Sequence, residues 1–148
     1  MNKDLSFKID DVKFSVRSGV IIKYENMVLI EFSKKGENSV IPGGRVKIGE
    51  KTNLTIKREV KEEMGLDIEI QKLQIKKVFE NFFEYNLEKV HEIYFVYEYI
   101  LSKNEFLNFN KIKDNKDNNT TFFEFINKKD LKDVNLLPTV LLEIMEKG

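Results

Sequence analysis

A chain of 148 residues with 41% hydrophobic and 11% aromatic side chains can fill one core and is too short for two independent catalytic domains. It has no cysteine, which excludes disulfides, thiolate nucleophiles and cysteine-based zinc sites. Lys plus Arg number 25 and Asp plus Glu number 25, interspersed to a formal charge of zero, so stable binding of duplex nucleic acid through its phosphates is not expected.

The chain starts Met1-Asn2-Lys3-Asp4, without the apolar stretch of a signal peptide, and no run reaches the length needed to cross a bilayer. A cytoplasmic protein with no membrane partner is the expectation. Val12, Phe14 and Val16 alternate with polar residues and read as an edge strand or a lead-in strand. Gly19-Val20-Ile21-Ile22 and Met27-Val28-Leu29-Ile30 flank Tyr24-Glu25-Asn26, the signal of a hairpin. Lys34 to Asn38 contains Gly36 and predicts a loop. Ser39-Val40-Ile41 then leads into Pro42-Gly43-Gly44, which should interrupt regular structure.

Ile56, Val60 and Met64 recur at spacing four and predict a helix over Thr52–Met64, with Gly65 as its C-cap. From Leu66 the pattern is strand-like in pieces to Tyr85. Asn86-Leu87-Glu88-Lys89 predicts a turn, and His91–Ile100, rich in Ile, Val, Phe and Tyr, the clearest strand. Lys103–Asn119 is long and polar; it reads as a mobile loop or a substrate lid, with Phe106, Leu107, Phe109 and Ile112 as its anchors. Thr121–Ile126 predicts a strand and Asp130–Asp133 a turn anchored by Leu131. After Leu137-Pro138 comes an amphipathic helix ending near Lys147, with Val140, Leu141, Ile144 and Met145 on its apolar side. No repeat or linker divides residues 1–148, so the expectation is one α/β domain with helices flanking the sheet.

The informative cluster is Glu59, Glu62 and Glu63. Residues three and four apart share a helical face, so Glu59 lies beside both others, and Glu50 stands just ahead of the helix. Four carboxylates in one place repel each other unless a counter-charge is present. Mg²⁺ or Mn²⁺ is such a counter-charge, with a preference for hard oxygen ligands and phosphate oxygens. The competing reading is a solvated face balanced by Lys57, Arg58 and Lys61, in which Arg58 and Glu62 form an ordinary surface pair. Charge spacing alone leaves both open.

The wider spacing separates them. Gly44, five residues, Glu50, seven residues, then Arg58-Glu59-Val60-Lys61-Glu62-Glu63-Met64-Gly65-Leu66 closely resembles the Nudix hydrolase signature, with all nine specified positions matched across 23 residues. The preceding Pro42-Gly43-Gly44 also looks like the family. The resemblance implies an α/β/α sandwich around a mixed sheet, and a loop–helix–loop metal platform. It implies Mg²⁺- or Mn²⁺-dependent hydrolysis, by water, of a phosphate anhydride in a nucleoside triphosphate or other nucleoside diphosphate derivative. By position, Glu59 and Glu63 would be the principal metal ligands. Glu62 would be a further ligand or help to place a water, and Glu50 would support metal binding or the glycine-rich loop. Arg58 would orient a glutamate, the Gly44 carbonyl could reach a metal, and Gly65 would end the helix. The chemistry agrees, since metal-assisted hydrolysis needs carboxylates and no covalent nucleophile. A P-loop, Gly-x-x-x-x-Gly-Lys-Ser/Thr, is absent from the sequence. The fold also serves an isoprenoid diphosphate isomerase, a branch the lack of cysteine argues against. A nucleotide-binding sensor that keeps the platform without turnover is the alternative.

Other roles stay open. Glu92 and Glu98 share one parity with Tyr94 and Val96; each could reach into a pocket or sit at a solvent-exposed strand end. Glu105, Asp114, Asp117 and Glu124 are further acids to consider. His91, the only histidine, could contact substrate or hold a structural hydrogen bond. Phe82, Phe83, Tyr85, Tyr94 and Tyr97 could stack on a base or face the core, and Tyr24 and Phe32 could line the opposite wall, though their hairpin position explains them equally well. Position 41 is Ile where many relatives carry a large aromatic, which weakens any inference about base stacking. The exposed face of a strand such as Phe79 to Tyr85 could form a homodimer contact, and a long β-hairpin packed on its own domain would explain the same residues.

Overall fold

The computed structural model describes residues 3–147. One long strand organises the sheet. β2 (Val12–Tyr24) runs parallel to β7 (Glu88–Ile100) along its whole length, from Val12 beside Lys89 to Lys23 beside Ile100. Its opposite edge is taken in succession by three antiparallel partners: β1 (Ser6–Ile9), β5 (Gly43–Arg45) and β3 (Met27–Ser33). β6 (Gln74–Tyr85) returns antiparallel on the far side of β7, and β3 carries β4 (Ser39–Val40) and β8 (Thr121–Asn127). The sheet is therefore mixed, as the sequence predicts.

Helices cover both faces. α1 (Thr52–Met64) buries Ile56, Val60 and Met64 against Val20, Ile22, Leu29, Tyr99, Phe109 and Phe123. On the other face α3 (Val140–Glu146) and the 3₁₀ turn Lys128–Asp133 place Leu141, Met145 and Leu131 on Ile21, Ile30, Tyr94 and Val96. Alternation along β2 and β7 thus feeds two apolar layers, which is why central strands read as nearly continuous apolar runs. Among the described residues no helix is long and apolar enough to cross a membrane.

Several expectations change. Val12–Val16 is neither an edge nor a separate lead-in strand: β1 and β7 flank it, and it continues unbroken to Tyr24. Ile41 and Pro42 interrupt the strands as expected, but Gly43-Gly44 do not, because β2 offers backbone partners at Arg17–Gly19 and Gly43–Arg45 pairs with them. Residues 66–73 hold a 3₁₀ turn, Ile70–Lys72, before β6 starts. The turn after β6 is only Asn86-Leu87, both at positive φ, and Glu88 already belongs to β7. Such a two-residue turn matches the twist of its flanking strands.

The polar segment 103–119 is packed, which contradicts a mobile loop. Ser102 and Glu105 form a capping box that starts α2 (Lys103–Phe109). Phe109 is buried, and Phe106 stacks on Tyr24 with ring centroids 4.2 Å apart. Beyond it the Lys116 amide donates to the carbonyl of Glu63 at 2.7 Å, pinning the segment to the end of α1. That carbonyl is one of the groups a helix terminus leaves without an internal partner.

Gly65 closes α1 at φ 72°, its amide donating to the Lys61 carbonyl at 2.9 Å. A Cβ disfavours this left-handed conformation by about 1–2 kcal/mol. Gly65→Ala should lower unfolding stability by about that amount in urea denaturation, with an unchanged far-ultraviolet spectrum.

Candidate active site

β5 and α1 meet at Gly44. The register of β5 on β2 sets Gly44 opposite Ser18, and the Ser18 hydroxyl donates to the Thr52 carbonyl at 2.8 Å, fixing the first turn of α1 beside the same strand. A Cβ at Gly44 would overlap the Glu59 carboxylate. Only glycine lets the backbone come this close to the acidic face of the helix.

Arg58 organises the acids around that contact. Its Nε donates to Glu50 Oε2 at 2.7 Å, and its Nη2 to Glu50 Oε1 at 3.0 Å. Nη1 reaches Glu59 Oε1 at 2.8 Å and Glu62 Oε2 at 3.4 Å, while Nη2 also binds the Arg45 carbonyl at 3.0 Å. Glu50 accepts further bonds from the Thr55 hydroxyl at 2.7 Å and the Lys47 amide at 3.2 Å. Burial would raise the Glu50 carboxyl, but these donors, led by Arg58, hold it down at about 2. Its bonds therefore tie it to the glycine-rich loop. Glu62 is the most exposed of the four, at 41% of its side chain.

Glu63 sits in the opposite situation. It is 8% exposed at the end of α1, and its neighbours include Glu31 of β3 as well as Glu59. Asn115 Nδ2 donates to Glu63 Oε2 at 3.1 Å and to Glu31 Oε2 at 3.2 Å, bridging two buried carboxyls. The Thr121 hydroxyl adds a bond to Glu31 at 2.8 Å. Glu63 Oε1 is buried without any hydrogen-bond partner. Burial and the charges of Glu31 and Glu59 push the Glu63 carboxyl up to about 8, and burial also raises Glu31 and Glu59.

Among the described residues no three acidic or histidine side chains already converge tightly enough to hold a metal ion. Arg58 draws Glu59 to one side and Asn115 holds Glu63 at the other. The donor set nevertheless fits a hard divalent cation: carboxyls raised by burial and, at Glu63, also by the neighbouring acids, an unbonded buried oxygen on Glu63, and a glycine kept bare beside Glu59.

A cavity of about 660 Å³ opens next to this cluster, lined among others by Arg17, Glu31, Glu63, Asn81, Phe83, Tyr85, Glu92 and Tyr94. The NUDIX domain profile matches residues 13–140. The chain belongs to the Nudix family. Known structures of similar fold include the Bacillus halodurans mutator MutT protein, 19% identical over 89% of this chain and 80% of that one, with a TM-score of 0.68. The Burkholderia pseudomallei MutT Nudix hydrolase is 20% identical over 90% and 96% of the two chains, TM-score 0.67. A Caenorhabditis elegans Ap4A hydrolase binary complex is 15% identical over 90% and 93%, TM-score 0.59. No curated protein sequence matches the chain. The Nudix family is one of hydrolases acting on nucleoside diphosphate-linked compounds, and the mixed sheet with helices on both faces is its fold.

The remaining sequence candidates sort cleanly in this Nudix chain. Glu92 and Glu98 are both buried rather than at solvent-exposed strand ends, because their parity faces the layer under α3. Glu92 lines the cavity; Glu98 lies elsewhere, with Lys23 at 3.4 Å and Lys76 at 3.6 Å. Glu105 bonds Lys72 and Tyr99, and Asp114 pairs with Lys34. Glu124 is exposed, and so is Asp117, whose amide binds Asn115 Oδ1. His91 lies between the rings of Phe14 and Phe82, outside the cavity lining. Tyr97 bonds Thr52, Tyr24 stacks on Phe106 and Phe32 on Phe122. Phe83, Tyr85 and Tyr94 are the candidate aromatics that reach the cavity.

Sequence reasoning missed Glu31, Asn115, Arg17 and Asn81. One signal existed: Glu31 is an acid at the end of the apolar run Met27-Val28-Leu29-Ile30. Asn115 had none, being one polar residue among many in its segment.

The fold favours protonated Glu63, whose pKa is about 8 against an ordinary 4.5. Its stabilising contribution is complete below pH 4.5 and is lost as pH rises from 4.5 to about 8. Metal-free Glu63→Gln should therefore melt higher than wild type at pH 8 and converge with it toward pH 5, in thermal melts with a chelator present.

Proposed function

We propose that this chain is a divalent-metal-dependent pyrophosphohydrolase, cleaving a phosphate anhydride in a nucleoside triphosphate or other nucleoside diphosphate derivative, with Mg²⁺ or Mn²⁺ as cofactor. The observation that carries this reading is the pair of buried carboxyls, Glu31 and Glu63, on the wall of the 660 Å³ cavity, with Glu63 Oε1 unbonded and the half-buried Glu59 near Glu63. Cavities of this size suit small ligands.

Glu59, Glu63 and the Gly44 carbonyl would hold the metal, with Glu62 as a further ligand or as the group that places a water. When bound, the metal neutralises phosphate charge and lowers the pKa of water. Glu50 supports the glycine-rich loop through Arg58, which orients Glu59. Asn115 bridges Glu63 and Glu31, and Thr121 fixes Glu31. Phe83 and Tyr85 offer apolar surface to the rest of the substrate. The whole chain acts as one Nudix domain, in the cytoplasm, on a small molecule rather than on duplex nucleic acid.

Among the described residues no strand pairs with the outer edge of β6, and Val78, Phe82 and Tyr85 on that strand are exposed, which supports a homodimer. Sedimentation should show a two-chain species that Val78→Lys shifts toward monomer.

Phosphate and pyrophosphate release from a nucleotide panel with Mg²⁺ or Mn²⁺ tests the activity. Glu59→Gln and Glu63→Gln should each lower kcat on the order of 10²–10³-fold, the scale of losing one electrostatic group at a reacting phosphate. Metal and nucleotide binding without release by wild type would instead favour a sensor.

A further inference from the structure

Among the described residues one cationic side chain, Arg17, lines the cavity beside the acids. Arg17 projects from β2, and its Nε donates to Glu92 Oε2 at 3.3 Å. Asn81 Nδ2, on β6, donates to the other oxygen, Glu92 Oε1, at 3.3 Å. Glu92 is 3% exposed, so both of its oxygens are engaged in the wall of the cavity. The tether uses only one of the five N–H donors that a guanidinium carries. Among the described residues no hydrogen bond engages Nη1 or Nη2, and 35% of the Arg17 side chain is exposed, at the cavity wall.

A guanidinium held by one nitrogen is aimed, and its two free NH₂ groups form a planar fork suited to two oxygens of a phosphate. Glu31 and Glu63 line the same cavity yet neither bonds the fork. A structural arginine in this position would be expected to satisfy itself on such neighbours. Glu92, itself held by Asn81, fixes the Arg17 Nε at the cavity wall.

We propose that Arg17 forms a phosphate-binding subsite in this cavity, contacting a phosphoryl group of the substrate next to the one held at the Glu59–Glu63 platform, with Glu92 and Asn81 as its positioning residues. The inference rests on the pyrophosphohydrolase reading and adds the residue that grips the anionic chain away from the metal. Glu92 accordingly serves as an anchor for Arg17 and not as a free base.

The test measures inhibition by inorganic tripolyphosphate in the presence of Mg²⁺, together with kcat and KM on the best nucleotide of the panel. The proteins are wild type, Arg17→Lys, Arg17→Gln and the double variant Arg17→Gln/Glu92→Gln. The double variant removes both charges, so it keeps the buried site neutral and keeps the fold testable. Loss of the fork should weaken tripolyphosphate by at least about tenfold in both glutamine variants and raise KM more than it lowers kcat, with Arg17→Lys recovering only part. Tight tripolyphosphate binding restored in the folded double variant would overturn the proposal, because Arg17 would then only balance Glu92. Wild-type turnover with an unchanged KM in Arg17→Gln would overturn this inference alone. A wild type that neither turns over nucleotides nor binds tripolyphosphate would overturn the hydrolase reading with it.

Discussion

The guanidinium of Arg58 reaches Glu50, Glu59, Glu62 and the carbonyl of Arg45 at once. It links Glu50, two residues ahead of α1, two acids on α1 and the end of β5, so the glycine-rich loop, the helix and the sheet share one electrostatic node. Glu50 is the strong partner, meeting two of the nitrogens, as a carboxylate and a guanidinium do when their planes align. Removing either partner would leave a largely buried charge alone, which costs far more than a surface pair is worth. The bare Gly44 backbone is the second half of the constraint, since any side chain there would occupy the space of the Glu59 carboxylate.

That node leaves the other end of the cluster uncompensated. Arg58 serves Glu50, Glu59 and Glu62, while among the described residues Glu63 and Glu31 have Asn115 and Thr121 as their side-chain donors. An unbonded buried carboxyl oxygen is costly in a protein interior. Such local cost is concentrated where a protein binds or reacts. The segment 110–120 supplies Asn115, Thr121 follows at the start of β8, and the Lys116 amide ties the segment to the carbonyl of Glu63. A stretch that looks unstructured in composition is in this way part of the site.

The helix was legible because three apolar residues at spacing four and a terminal glycine obey one period, and Thr52–Met64 forms as predicted. The hairpin at Glu25-Asn26 and the strands around His91–Ile100 and Thr121–Ile126 were legible for the same local reason. Long-range pairing was not. That Val12–Val16 lies in the middle of the sheet depends on β1 and β7 arriving from either side, and that Gly43–Arg45 is a strand depends on a free edge of β2. The signature placed Glu59 and Glu63 on the helix, but Glu31, Asn115 and Arg17 come from three other elements, and no spacing along the chain encodes their meeting. Glu92 was readable to the extent that its parity with Tyr94 was visible; its bond to Arg17 was not.

Calorimetric titration of the protein with Mg²⁺ at pH 7, in two buffers of different ionisation enthalpy, tests the central claim most directly. A Glu63 carboxyl at about 8 is mostly protonated at that pH, and a cation can use it only after the proton leaves. The account predicts saturable binding with proton release, and loss of both in Glu63→Gln. Binding without proton release, or binding that survives intact in Glu63→Gln, would contradict a metal held at the end of α1.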